Sequence, residues 1–374
     1  MSDSQYQEVV DLFASAIPEE DGAQLSVFVG GKQVINTSTG VDPASLINVF
    51  SCSKALSGIA FAHIVQSGLI NVDDPVVTYW PEFGAKGKTK ITVRQLLSHQ
   101  AGLPETRVGI KNSQWLTDHE AANLLAAERP LWAPGKAFGY HGLSIGTFMS
   151  ELAFRVTGKT IQQYFEENVR KPSGAQAFLG LPESEHHRVA PLLPGKIPSA
   201  EQLKAYGPPE NFVPGPYNAH VFAGLAPTAG PEADYSLTAT RGMVFGHPAA
   251  GGLASAEGLA TVFQWVVGYG QENSGLDKDV IEDFSQLQVN GFDLVLDTYN
   301  MSFGTIFMKP CGAKPFGSIS AFGHDGAAGA MVFADPVGEI VLGYTVRRFT
   351  YPGGMDPRIR PIVKAIQKIA LAAK

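Results

Sequence analysis

Cysteine is nearly missing: Cys52 and Cys311 are the only two in 374 residues. That excludes a disulfide framework and a cysteine-built zinc site. Long apolar runs are missing too. No segment reaches the ~18 consecutive apolar residues that mark a transmembrane helix. Basic charge is in deficit, with 28 Lys and Arg against 35 Asp and Glu and a formal charge of −7. This balance argues against nucleic acid or an anionic membrane as a partner. The start, MSDSQYQEVVDLF, lacks the basic and then apolar regions of a signal peptide. A reducing cytoplasm is the expected compartment. There is no repeat, low-complexity tract or long charge run.

What remains is ordinary globular material, 44% hydrophobic and 17% charged. The length suggests roughly two to three domains at ~150 residues each. Forty-one glycines and 25 prolines predict many loops, where functional residues concentrate.

Tyr6, Val9, Val10, Phe13 and Ile17 recur at helical spacing. Gln24–Gly30 and Lys32–Thr37 alternate around Gly30-Gly31, which predicts a β-hairpin. A helix is expected from about Ser51 to Ser67. The middle of the chain is helical. Thr117 with Glu120 reads as a capping box before Ala121–Ala127, and Thr160 with Gln163 as another before Tyr164–Val169. Phe148–Val156 and Leu259–Val267 carry helical periodicity, whereas Pro191–Thr240 is rich in Pro and Gly and predicts a long irregular segment. Strands are expected at Ser318–Phe322, Ala330–Ala334 and Ile340–Val346, the last two joined by a turn at Asp335-Pro336-Val337-Gly338. A closing amphipathic helix follows. The pattern implies an α+β fold, with an antiparallel sheet built from both termini and a helical insertion. The expected division is 1–75 with 245–374 as the sheet domain, and 76–244 as a mainly helical domain with the irregular loop 191–240.

The segment Phe50-Ser51-Cys52-Ser53-Lys54 contains S-x-x-K. Positions three apart share a helix face, so Lys54 can reach the Ser51 hydroxyl. A serine is a poor nucleophile until a base takes its proton, and a lysine serves only when neutral, which burial favours. A serine at a helix start also brings backbone N–H groups near a developing oxyanion.

Further motifs follow in order: Leu96-Leu97-Ser98-His99-Gln100-Ala101-Gly102-Leu103-Pro104, Phe138-Gly139-Tyr140-His141-Gly142 and Gly323-His324-Asp325-Gly326. The set resembles the serine β-lactamase and penicillin-binding-protein superfamily, and is most similar to the family VIII carboxylesterases. The resemblance runs from about Gly22 to the C-terminal helix and is weakest over Pro191–Thr240. It implies that Ser51 is the acylated nucleophile, Lys54 its proton partner and Tyr140 a proton shuttle to the leaving group. It further implies an oxyanion hole from the N–H groups of Ser51 and Ala327, and matches His324-Asp325-Gly326 to the superfamily's strand motif. Read from the residues alone, the small residues after Gly326 on an expected strand let a substrate lie close to backbone. Which of Lys54 and Tyr140 is the base in each half-reaction stays open.

Two positions depart from the β-lactamase pattern. Gly142 stands where that pattern has Asn, and His324 where it has Lys. An acylamino arm then loses its amide partner, and a carboxylate anchor is weakened because histidine is only partly charged at neutral pH. Both changes favour esters over β-lactams. The superfamily often has Asn near Arg347, close to substrate; the alternative is a strand-end charge in solvent.

Gly142-Leu143-Ser144-Ile145-Gly146 fits the nucleophile elbow of α/β-hydrolases, but Pro134-Gly135 precedes it in place of a strand. His186-His187 beside Glu183 and Glu185 has no metal-ligand spacing. Cys52 is expected to be a buried small residue and His99 a structural corner. Trp80, Trp115, Trp132, Tyr217 and Phe222 are candidates for lining an acyl or alcohol pocket, with core packing as the default.

The expected function is hydrolysis of short-to-medium acyl esters through an acyl-enzyme on Ser51. No cofactor or metal is required, and the partner is a small ester. A β-lactamase, a D-amino-acid peptidase and an acyltransferase share the same motifs. A non-catalytic scaffold would more naturally have lost one of Ser51, Lys54 and Tyr140. Acyl length, alcohol identity and oligomeric state are not encoded in these motifs.

Overall fold

The computed structural model describes residues 4–117, 119–206 and 232–372. Helix α1 (Gln7–Ala16) leads into β1 (Ala23–Val29) and β2 (Lys32–Thr39), and the short β3 (Ile47–Asn48) precedes helix α2 (Cys52–Gln66). The middle contributes helix α3 (Ser144–Thr157) and short β4 (Ala177–Phe178), then β5 (Leu253–Ala254) and helix α4 (Ala256–Val267). Last come the hairpin β6 (Val289–Asp293) and β7 (Thr298–Phe303), then β8 (Phe322–Asp325), β9 (Met331–Asp335), β10 (Ile340–Val346) and helix α5 (Arg360–Ala372). Among the described residues no helix is long and apolar enough to cross a membrane.

The central sheet has the order β2-β1-β10-β9-β8 and is antiparallel throughout. The two ends of the chain meet where β1 pairs with β10, Ala23 opposite Val346 and Val29 opposite Ile340. The period of two divides each strand between two cores. Leu25, Val27, Met331, Phe333, Leu342 and Tyr344 face α1 and α5. Val332, Ala334 and Val341 face the opposite way, toward α2 and α4. Both faces are covered, so these strands read as nearly continuous apolar runs. Gly343 allows α4 to lie close on the sheet, since a β-carbon there would sit 2.1 Å from the Ala256 carbonyl.

Helix α2 is the axis of the molecule. Most of its residues are buried, from Cys52 through Ala62 and at Ile64. A helix that is apolar on all sides is a core helix. It packs against β8 on one flank and α3 on another.

Three local expectations change. The helix at Glu120–Ala127 has no capping box: its N-cap is His119 with φ of 68°, and it makes no side-chain cap. Ser318–Ala321 is a turn because Asp335 accepts from both Ser318 N and Ser318 Oγ, so β8 begins only at Phe322. The β6–β7 hairpin was not anticipated. The Thr160–Gln163 capping box is present. The expected irregular stretch holds a helix at Ala200–Tyr206, and its residues 207–231 lie outside the described residues, with Tyr217 and Phe222 among them.

Candidate active site

Ser51 sits at the sharp turn from β3 into α2. Phe50 before it has φ of 43°, a left-handed backbone rarely adopted by a bulky residue. Asn48 Oδ1 holds that turn by accepting from Phe50 N at 2.9 Å. Strain of this kind persists only where its surroundings enforce it. The turn places Ser51 at the N-cap with no side-chain capping bond, so its hydroxyl is free for other partners.

Two side chains take up that hydroxyl. Lys54 Nζ lies 3.0 Å from Ser51 Oγ, and Tyr140 Oη lies 2.9 Å from it. Lys54 is fully buried. Its ammonium also donates to the Ala249 carbonyl at 2.9 Å and lies 4.8 Å from the Tyr140 ring centre. Burial pulls its pKa down to about 7, against the opposing pull of the Asp325 carboxylate. A large fraction of Lys54 is therefore neutral near pH 7. Tyr140 goes the other way. Burial raises its phenol well above the usual value, so it keeps its proton.

Tyr140 arrives from 89 residues away and is fixed by backbone contacts on both sides. Asp293 Oδ1, at the end of β6, accepts from Tyr140 N at 3.0 Å. His99 Nδ1 accepts from His141 N, and the His99 carbonyl accepts from Gly139 N. His141 Nε2 in turn accepts from Leu103 N. The Ser98–Leu103 corner thus clamps the Gly139–His141 segment. His99 itself is buried and neutral, its pKa held well down by burial and then by His141.

The remaining expected residues divide. Ser51, Tyr140 and Ala327 line one cavity of about 450 Å³. Among the described residues neither Ser51 N nor Ala327 N has a hydrogen-bond acceptor, so both can meet an oxyanion. Gly326 lies in the turn after β8, not on the strand. A β-carbon there would lie 2.2 Å from the Val49 carbonyl, so only glycine lets the turn approach the Ser51 segment. His324 is on β8 but entirely buried and absent from the cavity wall. Burial, and after it Lys54, push its pKa down to about 4. It is a neutral ring, not a partly charged anchor. Gly142 is buried and absent from the cavity wall. Arg347 is not on the cavity wall; it donates through Nε to the Pro191 carbonyl at 3.0 Å. Arg348 is tied to Asp21 and the Pro194 carbonyl. Both arginines stand at the strand end away from the cavity, but they are half-buried and hydrogen-bonded, not free charges in solvent.

Trp80 and Trp115 belong to the core, and Trp132 packs beside it. None of the three lines the Ser51 cavity. Ser144 opens α3 and its hydroxyl donates to the Leu103 carbonyl, so it is no nucleophile elbow. Cys52 is buried, its thiol donating to the His324 carbonyl. His186 and His187 bond backbone carbonyls, and the described residues contain no cluster fit to hold a metal ion.

Two charged wall residues, Lys314 and Asp325, were given no role in the sequence reading. Their side chains form an ion pair at 2.8 Å. They stand eleven positions apart across an irregular loop, so no periodicity joins them. Ala327 and Phe349 also border a second, mostly apolar cavity of about 580 Å³ that includes Phe50, Leu193, Leu237 and Met243.

The site thus brings together a serine at a helix start, a buried lysine and a buried tyrosine, the last two both on the serine hydroxyl. The chain belongs to the beta-lactamase family, whose model matches residues 11–366. It is 31% identical to the esterase/beta-lactamase LipL of Mycobacterium tuberculosis, over 94% of this chain and 83% of that protein. The solved structure of EstA from Arthrobacter nitroguajacolicus Rue61a superposes with a TM-score of 0.85 at 38% identity, covering 99% of this chain and 98% of that one. A family VIII carboxylesterase superposes with a TM-score of 0.84 at 27% identity, covering 98% of each chain. The fold is that of the serine β-lactamases and penicillin-binding proteins.

Proposed function

We propose that this hydrolase is a carboxylesterase that acylates Ser51 with short-to-medium acyl esters and releases the acid with water. One observation carries the reading: a single hydroxyl oxygen, Ser51 Oγ, held between Lys54 Nζ and Tyr140 Oη at 3.0 and 2.9 Å. The likeness to a family VIII carboxylesterase and to the esterase/beta-lactamase LipL supports the same choice here.

The roles follow from the protonation states. Neutral Lys54 accepts the hydroxyl proton as Ser51 Oγ attacks the ester carbonyl. The oxyanion is met by the N–H groups of Ser51 and Ala327; one such donor is typically worth about 10² to 10³ in rate. Tyr140, still protonated, donates to the departing alcohol oxygen and is recharged by the Lys54 ammonium. Water then enters, and the same groups run in reverse to release the acid. Positioned proton transfer of this kind contributes about 10² to 10⁴. The apolar cavity beyond Phe349 offers room for an acyl chain.

The test is covalent. A fluorophosphonate probe should label the purified protein once, and peptide mapping should place the label on Ser51. Hydrolysis of p-nitrophenyl esters should disappear in step with labelling. A label elsewhere, or hydrolysis that survives full labelling, would refute the assignment.

A further inference from the structure

The cavity holding Ser51 carries an ion pair that no step of this hydrolysis uses. Lys314 and Asp325 are the one cation and the one anion among its described wall residues. Asp325 is nearly sealed, its side chain 8% exposed, while Lys314 is 23% exposed. Asp325 Oδ2 accepts from Lys314 Nζ at 2.8 Å and from Met355 N at 2.8 Å. Gly354 closes over the pair: a β-carbon there would lie 2.1 Å from Lys314 Nζ and 2.6 Å from Asp325 Oδ2. A glycine with φ of 73° is therefore built into the loop that covers the two charges. This is a fixed pair within the fold, unlike a mobile surface contact.

The charges that face it are few. Lys54 sits in the first turn of α2, with Cys52 beside it, and His324 precedes Asp325 on β8. His324 and Tyr140 are uncharged near pH 7. An anionic group on a substrate thus meets two formal charges near the nucleophile, Lys314 and Asp325, with Lys54 partly protonated behind Ser51. To take the charge of Lys314 for itself, that group must displace Asp325. The buried carboxylate would then lose its partner, which is strongly unfavourable. If it leaves the pair intact, it lies against a carboxylate. A neutral ester encounters neither penalty.

We infer, on the basis of the esterase reading, that Asp325 sets the charge selectivity of this site: it occupies Lys314 and so confines the enzyme to esters uncharged near the scissile bond.

The experiment compares two esters of one alcohol, p-nitrophenyl butyrate and the mono-p-nitrophenyl ester of glutaric acid, which adds a carboxylate at the chain end. The readout is the ratio of their kcat/KM values. Each variant is compared on the upper plateau of its own pH profile, where Lys54 is neutral, so that a change in the proton machinery acts on both esters and cancels in that ratio. The wild-type protein should favour butyrate at least tenfold. Asp325→Asn keeps an acceptor for Met355 N, releases Lys314, and should lower the ratio at least tenfold. Adding Lys314→Met should restore the ratio toward wild type, because no cation is left to attract the carboxylate. Lys314→Met alone exposes Asp325 and should raise the ratio severalfold, and this variant decides the matter if Asp325→Asn does not fold. An unchanged ratio in these variants overturns the inference, as does a gain for the glutarate ester that survives loss of Lys314. No turnover of either ester by wild type would instead overturn the esterase reading beneath it.

Discussion

Gly326 rests on the carbonyl of Val49, two residues before Ser51, at a separation that no β-carbon could share. This contact joins the turn after β8 to the turn before α2, and so joins the two backbone N–H groups at Ala327 and Ser51. The proposed oxyanion hole depends on both turns keeping their places. Gly326→Ala should push them apart. A loss of about 10² or more in kcat/KM is expected, the usual cost of one misplaced donor. Thermal unfolding of the same sample would show whether the fold survives. A folded variant with wild-type kinetics would separate this contact from catalysis.

The pH dependence follows from Lys54. Only its neutral form accepts the Ser51 proton, and burial holds its pKa at about 7. kcat/KM should therefore rise with pH through a limb centred near 7. Asp325 stabilises the charged form of Lys54 and so raises that pKa. Removing its charge in Asp325→Asn should move the limb to lower pH. A limb that stays in place, or moves up, would show that another group controls it.

Much of this site was legible because its first part is local. Ser51 and Lys54 lie three apart on a helix, and helical geometry alone brings them together. Tyr140 is a different matter. Its contact with Ser51 spans 89 residues, and its position rests on Asp293 at the end of β6. Nothing in local periodicity joins them; the resemblance pointed to Tyr140, but not to what holds it. The β6–β7 hairpin itself escaped notice because only Asp293 of β6 and Met301 through Phe303 of β7 are buried. Its register also shifts between Gly291 and Asp293. Strands with so little buried alternation leave a weak pattern. The partial charge expected of His324 and the place beside substrate considered for Arg347 both failed, because burial and side-chain direction are properties of the fold. The same strand that carries His324 hides its ring and presents Asp325.

The two candidate serines make a clean comparison. Ser51→Ala should abolish ester hydrolysis. Ser144→Ala should leave most of it, because that hydroxyl only donates to the Leu103 carbonyl at the start of α3. Its loss should appear as lower stability, on the order of 1 kcal/mol for one buried hydrogen bond. Chemical denaturation would measure this. Equal kinetic losses in two folded variants would contradict the placement of the nucleophile.

In the proposed mechanism Lys54 and Tyr140 share one proton path, so their losses should not add. Lys54→Ala and Tyr140→Phe should each reduce kcat by about 10² to 10⁴. The double variant should fall little below the worse single one, as expected when residues act as a unit. Tyr140→Phe is the sharper test, since it removes only the hydroxyl that contacts Ser51 Oγ and leaves the stacking on Phe303. Near wild-type turnover in that variant would remove Tyr140 from the mechanism.

The choice between ester and lactam rests on what the cavity can hold. Rapid cleavage of p-nitrophenyl butyrate and little or no turnover of nitrocefin are expected. An ester needs the Ser51 nucleophile, the Lys54 and Tyr140 proton path and two backbone donors. A β-lactam also needs its acylamino arm and its carboxylate held, because a small misplacement of the reacting carbonyl costs rate steeply. Gly142 offers no side-chain amide. His324 is buried, with its pKa near 4, and carries no charge at neutral pH. Arg347 was the residue able to take over the carboxylate, but it is spent on the Pro191 carbonyl and absent from the cavity wall. Lys314 does reach that wall, yet it is tied to Asp325. Four possible anchors are thus removed for four separate reasons. The measurement is kcat/KM for both substrates on one preparation. Comparable values would mean that a lactam is held by groups outside this set, and would place the protein among the β-lactamases by activity as well as by family.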